Sequence, residues 1–136
     1  METEGLFAPA TAAEARDQYA AAGTAAETVV RELARSIPAA DPEAVREDAA
    51  LRLTAQEAIF ASLLEVHVGT REAFEDAMAD RDSEAEVLGS EHVSGVAWHD
   101  APAADRVLAA TFESEPEAAV ATLRRQAFAR LYREVV

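Results

Sequence analysis

The chain has 136 residues, half of them apolar, and carries 26 acidic residues against 12 arginines, for a formal net charge of −14. This length predicts one compact domain over residues 1–136, and the apolar content excludes an intrinsically disordered acidic tail. The chain contains no cysteine and no lysine. A disulfide framework, a thiolate metal site and a lysine-dependent phosphate loop are therefore excluded.

The acidic excess indicates adaptation to a very salty solvent. Carboxylates spread along a chain repel one another in dilute buffer, and salt relieves that repulsion because the Debye length falls from about 10 Å at 0.1 M to roughly 3 Å at 1 M. Codon bias explains missing lysines equally well, but it does not explain surplus Asp and Glu. We therefore predict a halophilic protein.

Two features of the chain predict a soluble, cytoplasmic protein. The opening residues 1–4 are acidic where a signal peptide needs positive charge. The longest apolar stretch, residues 58–64, is far shorter than the roughly 20 residues that span a bilayer. The sequence therefore predicts no membrane association.

The first third of the chain predicts a helical hairpin. Thr11 and Thr24 each begin a capping-box pattern, with a glutamate three residues later. Gly23 lies between them, at a position typical of a helix end. These signals predict helices over about 12–22 and 25–36.

The second of these helices is predicted to contribute to the core and to end before Pro38. Its apolar face repeats at helical spacing. That face consists of Val29, Val30, Leu33 and Ile37.

The residues 41–43 (Asp-Pro-Glu) give a second helix start, with a capping acid, proline in the first turn and another acid near the positive dipole end. We expect the longest helix here, over about 42–66, and its wide apolar arc predicts a central position in the core. Gly69 should end it, and Thr70 should cap a short helix over 71–80.

Between Ser83 and Phe112 the apolar period changes to two, with Val96 and Trp98 alternating with their neighbours. This predicts two or three antiparallel strands, followed by a final helix over about 114–134. The predicted fold is a helix-dominated α+β domain with a small antiparallel sheet. An all-α bundle is the alternative.

The three histidines are the candidate metal ligands. His67, His92 and His99 have acidic neighbours, and imidazole with carboxylate suits zinc or iron. Their spacing matches no recognised site, however, and acids beside histidines are expected by chance in this chain. The alternative is that the histidines fill structural positions, and we predict no cofactor.

Trp98, His99 and His67 are the candidate ligand-binding residues. A tryptophan ring could stack on a small ligand while an adjacent imidazole forms a hydrogen bond. A single tryptophan in a strand is, however, more often a core anchor. Both interpretations stay open from the sequence.

The final helix concentrates positive charge in Arg124, Arg125, Arg130 and Arg133. Clustered arginines can grip phosphates, but such contacts weaken by about 0.9 log units each per tenfold rise in salt, and the acidic chain repels a polyanion. Nucleic acid is therefore an unfavourable partner. These arginines are instead predicted to pair within the chain or to serve a protein interface.

Several segments resemble a known family: residues 4–9, residues 60–74, the Val-Ala-Trp-His run at 96–99, and residues 122–134. On these segments the chain resembles a family of short haloarchaeal proteins classed as a domain of unknown function. The resemblance implies salt adaptation and one compact domain. It implies no catalytic or binding residues, because the family has no assigned activity.

Taken together, these observations favour a non-enzymatic interaction or accessory protein. It would act as a homodimer, through the apolar side of the last or the central helix, or together with another protein. The alternative is a small-ligand-binding protein or metal-dependent enzyme built on the histidines and Trp98.

Overall fold

The computed structural model describes residues 1–37, 41–82 and 84–136. Over these ranges it contains five α-helices and five β-strands. The helices are α1 (Ala12–Ser36), α2 (Pro42–Glu47), α3 (Ala49–Ser62), α4 (Arg71–Ala79) and α5 (Pro116–Ala127). The strands are β1 (Glu2–Glu4), β2 (Val66–Thr70), β3 (Glu84–Leu88), β4 (Gly95–Ala101) and β5 (Arg106–Phe112).

The strands form one mixed sheet in the order β1-β2-β4-β5-β3. All neighbours are antiparallel except β3 and β5, which run parallel. The α+β prediction is confirmed. The predicted number of strands, two or three, was too low, and the sheet is mixed instead of purely antiparallel. β1 is too short to show a period, and β2 begins at Val66, where the predicted central helix was expected to end.

The two faces of the sheet support two separate apolar clusters. Side chains alternate between faces along a strand, so Ala97 and Ala101 of β4 point one way while Val96 and Trp98 point the other. The first face packs against α1, α3 and α5 in the larger cluster. The second face packs against α4 through Phe74.

The predicted hairpin at Gly23 is wrong, because α1 is one helix of 25 residues. The capping box at Thr11 forms, and its hydroxyl accepts from the Glu14 N–H at 3.1 Å. Gly23 instead permits close packing of α3. A Cβ at this position would lie 2.7 Å from Nε2 of Gln56, which donates to the Tyr19 carbonyl at 2.9 Å.

The predicted long helix over 42–66 is also wrong. It is divided at Asp48, whose carboxylate accepts from the Leu51 N–H at 3.0 Å and caps α3. The chain leaves helical geometry at Leu63 and enters β2 at Val66. A capping acid inside an apolar pattern therefore outweighs the periodicity on either side of it.

Other local predictions are confirmed. Asp41 caps α2 and Thr70 caps α4 through their side-chain oxygens. α1 ends at Ser36, which is the helix end predicted before Pro38. The final helix begins at Pro116, but after Ala127 it widens into a π-helical turn, Phe128–Tyr132. The predicted start of the strand region, Ser83, lies outside the described residues.

No helix of the described ranges combines the length and the apolar character needed to cross a bilayer.

Candidate functional site

His99 is the most buried polar side chain in the described structure, with 1% of its surface exposed. β4 points it at the helical layer, where the π-helical turn brings Tyr132 against it. The ring Nδ1 lies 2.6 Å from the Glu65 carbonyl oxygen, and Nε2 lies 2.6 Å from the Tyr132 hydroxyl oxygen. Both ring nitrogens of His99 are therefore occupied inside the protein.

These contacts define the protonation state of His99. A carbonyl oxygen only accepts, so Nδ1–H donates to Glu65 and Nε2 accepts from the Tyr132 O–H. Burial lowers the pKa of His99 below its ordinary value and outweighs the hydrogen bond to Glu65, which favours the charged ring. Burial likewise raises the pKa of Tyr132. The pair is a neutral, internally satisfied hydrogen-bond network.

His67 and Trp98 lie together on the opposite face of the sheet. They are register partners of β2 and β4, and their ring centroids are 5.4 Å apart. The indole also contacts Phe74, with centroids 5.4 Å apart, and Trp98 is 1% exposed. The sheet therefore separates the predicted ligand-binding residues. Trp98 and His99 are adjacent in sequence, so their side chains point to opposite faces.

A small cavity of about 90 Å³ lies beside His67, lined also by Ala8, Glu65, Asp100 and Pro102. The His67 ring contacts the Thr3 hydroxyl at 3.0 Å and a Glu65 carboxylate oxygen at 3.7 Å. Asp100 is held in an ion pair by Arg81. The cavity is too small for most ligands, which typically need pockets of roughly 300–1,000 Å³.

The three histidines do not converge. His67 and His99 point to opposite faces of the sheet, and His92 lies exposed in the β3–β4 loop. Throughout the described ranges, no group of three His, Asp or Glu side chains is arranged to hold a metal ion. The metal prediction thus gains no geometric support from this structure.

Arg124 and Arg125 of the predicted interface contact their own chain. The Arg124 Nε–H donates to the Leu64 carbonyl at 3.0 Å. This bond connects α5 to the segment that follows α3. Arg125 donates to the Thr122 hydroxyl at 3.4 Å. The apolar side of α5 is buried against the sheet.

Arg130 and Arg133 are likewise engaged within the chain. Arg130 forms an ion pair with Glu86 of β3 and donates to Oε1 of Gln126 at 3.0 Å. The guanidinium of Arg133 lies 5.3 Å from the centre of the Phe128 ring. All four predicted interface arginines therefore have intramolecular contacts, which is the alternative the sequence left open.

A further candidate surface lies on a helical arm, which we define as residues 25–36 of α1, all of α2, and residues 49–56 of α3. Only Ala26, Val30 and Ala34 of the arm are buried. Val29, Leu33 and Ile37 were predicted to belong to the core, yet they are 42%, 39% and 46% exposed. Ala26, Val30 and Ala34 form the buried side of this part of α1, and the larger apolar side chains beside them lie in solvent.

The arm also carries an arginine cluster that sequence reasoning missed. Arg31 of α1, Arg46 of α2 and Arg52 of α3 line one cavity of about 220 Å³, together with Glu27 and Val30. Among the residues that the structure describes, none of the three arginines has an ion-pair partner. Nothing in the sequence indicates this cluster, because its members come from three helices whose packing the pattern does not specify.

The fold defines a class: a helix-rich α+β domain whose described residues include no group of three His, Asp or Glu side chains that could hold a metal ion. The sequence profile of a family of unknown function, DUF5809, matches residues 6–133. The chain therefore belongs to this family, as the resemblance to a domain of unknown function implied. Comparison with curated proteins finds no match. Comparison with solved structures finds none either.

Proposed function

We propose that this protein is a non-enzymatic interaction protein that self-associates through an exposed apolar stripe at the C-terminal end of α1, formed by Val29, Leu33 and the cap residue Ile37. The observation that carries the proposal is the exposure of three large apolar side chains at i, i+4 and i+8. Such spacing gives one continuous strip along a helix. Contiguous apolar surface of this kind is typical of interaction sites.

The charge around the stripe favours a second copy as its occupant. Two molecules with a net charge of −14 repel each other over most of their surfaces. Residues 25–36 carry two glutamates (Glu27, Glu32) and two arginines (Arg31, Arg35), so this segment is electrically neutral. Two copies can approach along it without the repulsion that acts elsewhere.

The choice of α1 replaces the helices named from the sequence. The apolar side of α5 is buried in the larger core cluster, so it has no free surface to offer. The predicted central helix is two short helices, and α2 buries no residue. α1 is the long helix with apolar side chains left in solvent.

The enzyme alternative has less support. A catalytic imidazole needs a free nitrogen within hydrogen-bond reach of a substrate, and both nitrogens of His99 already have partners. Trp98 is enclosed by His67 and Phe74. The contacts of His99 and Trp98 favour a role in holding the fold together over a role in binding a substrate.

The finer features predicted from composition also belong to this proposal. We infer a salt-adapted protein of haloarchaeal type that works in a salt-rich cytoplasm. The acidic excess supports this inference, because 26 carboxylates face only 12 arginines. Screening by salt should then strengthen self-association as well as folding.

Sedimentation velocity over a concentration series tests the proposed dimer. We expect a reversible monomer–dimer equilibrium that shifts toward dimer as KCl is raised. Leu33→Glu should weaken dimerisation by more than about tenfold, because it places a charge in an apolar contact.

Leu53→Glu is the matched control, since Leu53 is a comparably exposed leucine (50%) elsewhere on the arm. It should leave the equilibrium unchanged. A protein that stays monomeric at every concentration and salt would contradict the proposal. So would a dimer that Leu33→Glu does not affect.

A further inference from the structure

We propose that the cavity between α1, α2 and α3, lined by Arg31, Arg46, Arg52 and Glu27, is a binding site for a phosphate group. This site is independent of the proposed self-association. It requires only that the three helices pack as they do in the monomer.

Three arginines from three different helices line the cavity. The break at Asp48 separates Arg46 on α2 from Arg52 on α3. Like charges brought to one cavity repel each other and weaken the packing of the arm. The lining contains three arginines and one glutamate, so positive charge is left uncompensated within it. This local excess occurs in a chain that carries 26 acidic residues.

The charge and the hydrogen-bond donors of the lining match a phosphate group. The cavity lining carries a net charge of plus two, and a phosphate monoester carries about −1.5 to −2 near neutral pH. The planar guanidinium presents paired N–H donors that fit phosphate oxygens in a bidentate arrangement. A lone carboxylate would compensate only half of this charge.

The size of the cavity suits a small anion. Its volume of about 220 Å³ lies below the roughly 300–1,000 Å³ that is typical of pockets for drug-sized ligands. It has room for a phosphate or diphosphate group but not for a large ligand. The phosphate could be a free ion or the charged end of a small metabolite that otherwise remains in solvent.

Thermal unfolding with inorganic phosphate and with diphosphate, each compared with KCl at equal ionic strength, tests the site. We expect saturable stabilisation by phosphate and stronger stabilisation by diphosphate. Phosphate also stabilises proteins generally by exclusion from their surfaces. The double variant Arg46→Gln/Arg52→Gln retains that general effect, so the difference between wild type and variant reports the site.

Isothermal titration of the same proteins gives the affinity. Arg46→Gln alone should weaken binding by roughly tenfold, as expected for loss of one charge-assisted contact. Glu27→Gln should tighten binding, since it removes the only negative charge of the lining. Arg125→Gln, an exposed arginine on α5, is the matched control and should change nothing.

Two outcomes would overturn the proposal. One is stabilisation by phosphate that is the same in wild type and in Arg46→Gln/Arg52→Gln. The other is citrate binding as tightly as diphosphate, which would indicate a site for negative charge in general. Tighter binding of a phosphate monoester than of free phosphate would support the site and indicate a metabolite as its source.

Discussion

His99 connects three parts of the fold through the two nitrogens of its ring. Its Nδ1–H donates to the Glu65 carbonyl, and its Nε2 accepts from Tyr132. These two bonds connect β4 to the start of β2 and to the π-helical turn after α5. A hydrophobic residue in the same place would leave both of those partners unsatisfied in the core, at about 1–3 kcal/mol each.

The lowered pKa of His99 predicts a pH dependence of stability. In the unfolded chain the ring has its ordinary pKa of 6.5, whereas burial lowers it in the folded state. Between the two values the unfolded state binds more protons, so the free energy of unfolding rises with pH. This contribution is fully present above pH 6.5 and is lost as the pH falls through the folded-state pKa.

Urea unfolding measured from about pH 5 to pH 7 checks this linkage. His99→Gln should flatten the curve of free energy against pH, while the exposed His92→Gln should leave its slope intact. Ring resonances of the wild type provide a measurement that does not depend on a variant. Protonation of His99 at the same pH as His92 would show that burial does not lower its pKa.

At the scale of elements, α1 continues as a helix through Gly23, the residue that was predicted to separate two helices. Glycine inside a helix is less stable than alanine by roughly 0.5–1 kcal/mol. In this position the missing side chain leaves room for Gln56, whose amide bonds back to α1 at Tyr19. The glycine therefore serves the contact between α1 and α3.

A double-mutant cycle tests this interpretation. In the Gln56→Ala background we expect Gly23→Ala to stabilise the fold by about 0.5–1 kcal/mol, because only helix propensity changes. In the wild-type background the gain should be smaller, since the new methyl displaces Gln56 and disrupts a hydrogen bond worth about 0.5–1.5 kcal/mol. Equal gains in both backgrounds, measured by urea unfolding, would contradict a role for Gly23 in this packing.

At the scale of the whole molecule, acidic residues outnumber arginines by 26 to 12. Among the described residues, Arg35, Arg81, Arg106 and Arg130 form ion pairs with carboxylates, and the last two share Glu86. The surplus of negative charge produces a net repulsion across the surface. The thin core of the arm, in which only Val30 and two alanines are buried, has little to oppose that repulsion.

We therefore expect the fold to lose stability and cooperativity at low salt. Thermal melts followed by circular dichroism should show a higher and sharper transition at about 3 M KCl than at about 0.1 M, because screening weakens the repulsion. A neutral osmolyte of equal osmolarity is the control for effects of solvent exclusion. Melts that coincide at both salt concentrations would refute this expectation.

The features that the sequence determined by itself are those that depend on residues close together in the chain. The caps at Thr11, Asp41 and Thr70 form because each depends on one side chain and a backbone N–H two or three residues away. The strands β4 and β5 follow from an alternation contained within seven residues each. The acidic composition, likewise, needs no structure to be recognised.

Tertiary structure alone decided the rest, because it depends on partners distant in sequence. β2 is a strand since it pairs with β1 and β4, and Gly23 stays helical since Gln56 packs against it. Which apolar side chains are covered also depends on how the helices pack, and Val29 and Leu33 are left exposed. The candidate surfaces of this protein arise from that packing: an apolar stripe at the end of α1 and three arginines from three helices.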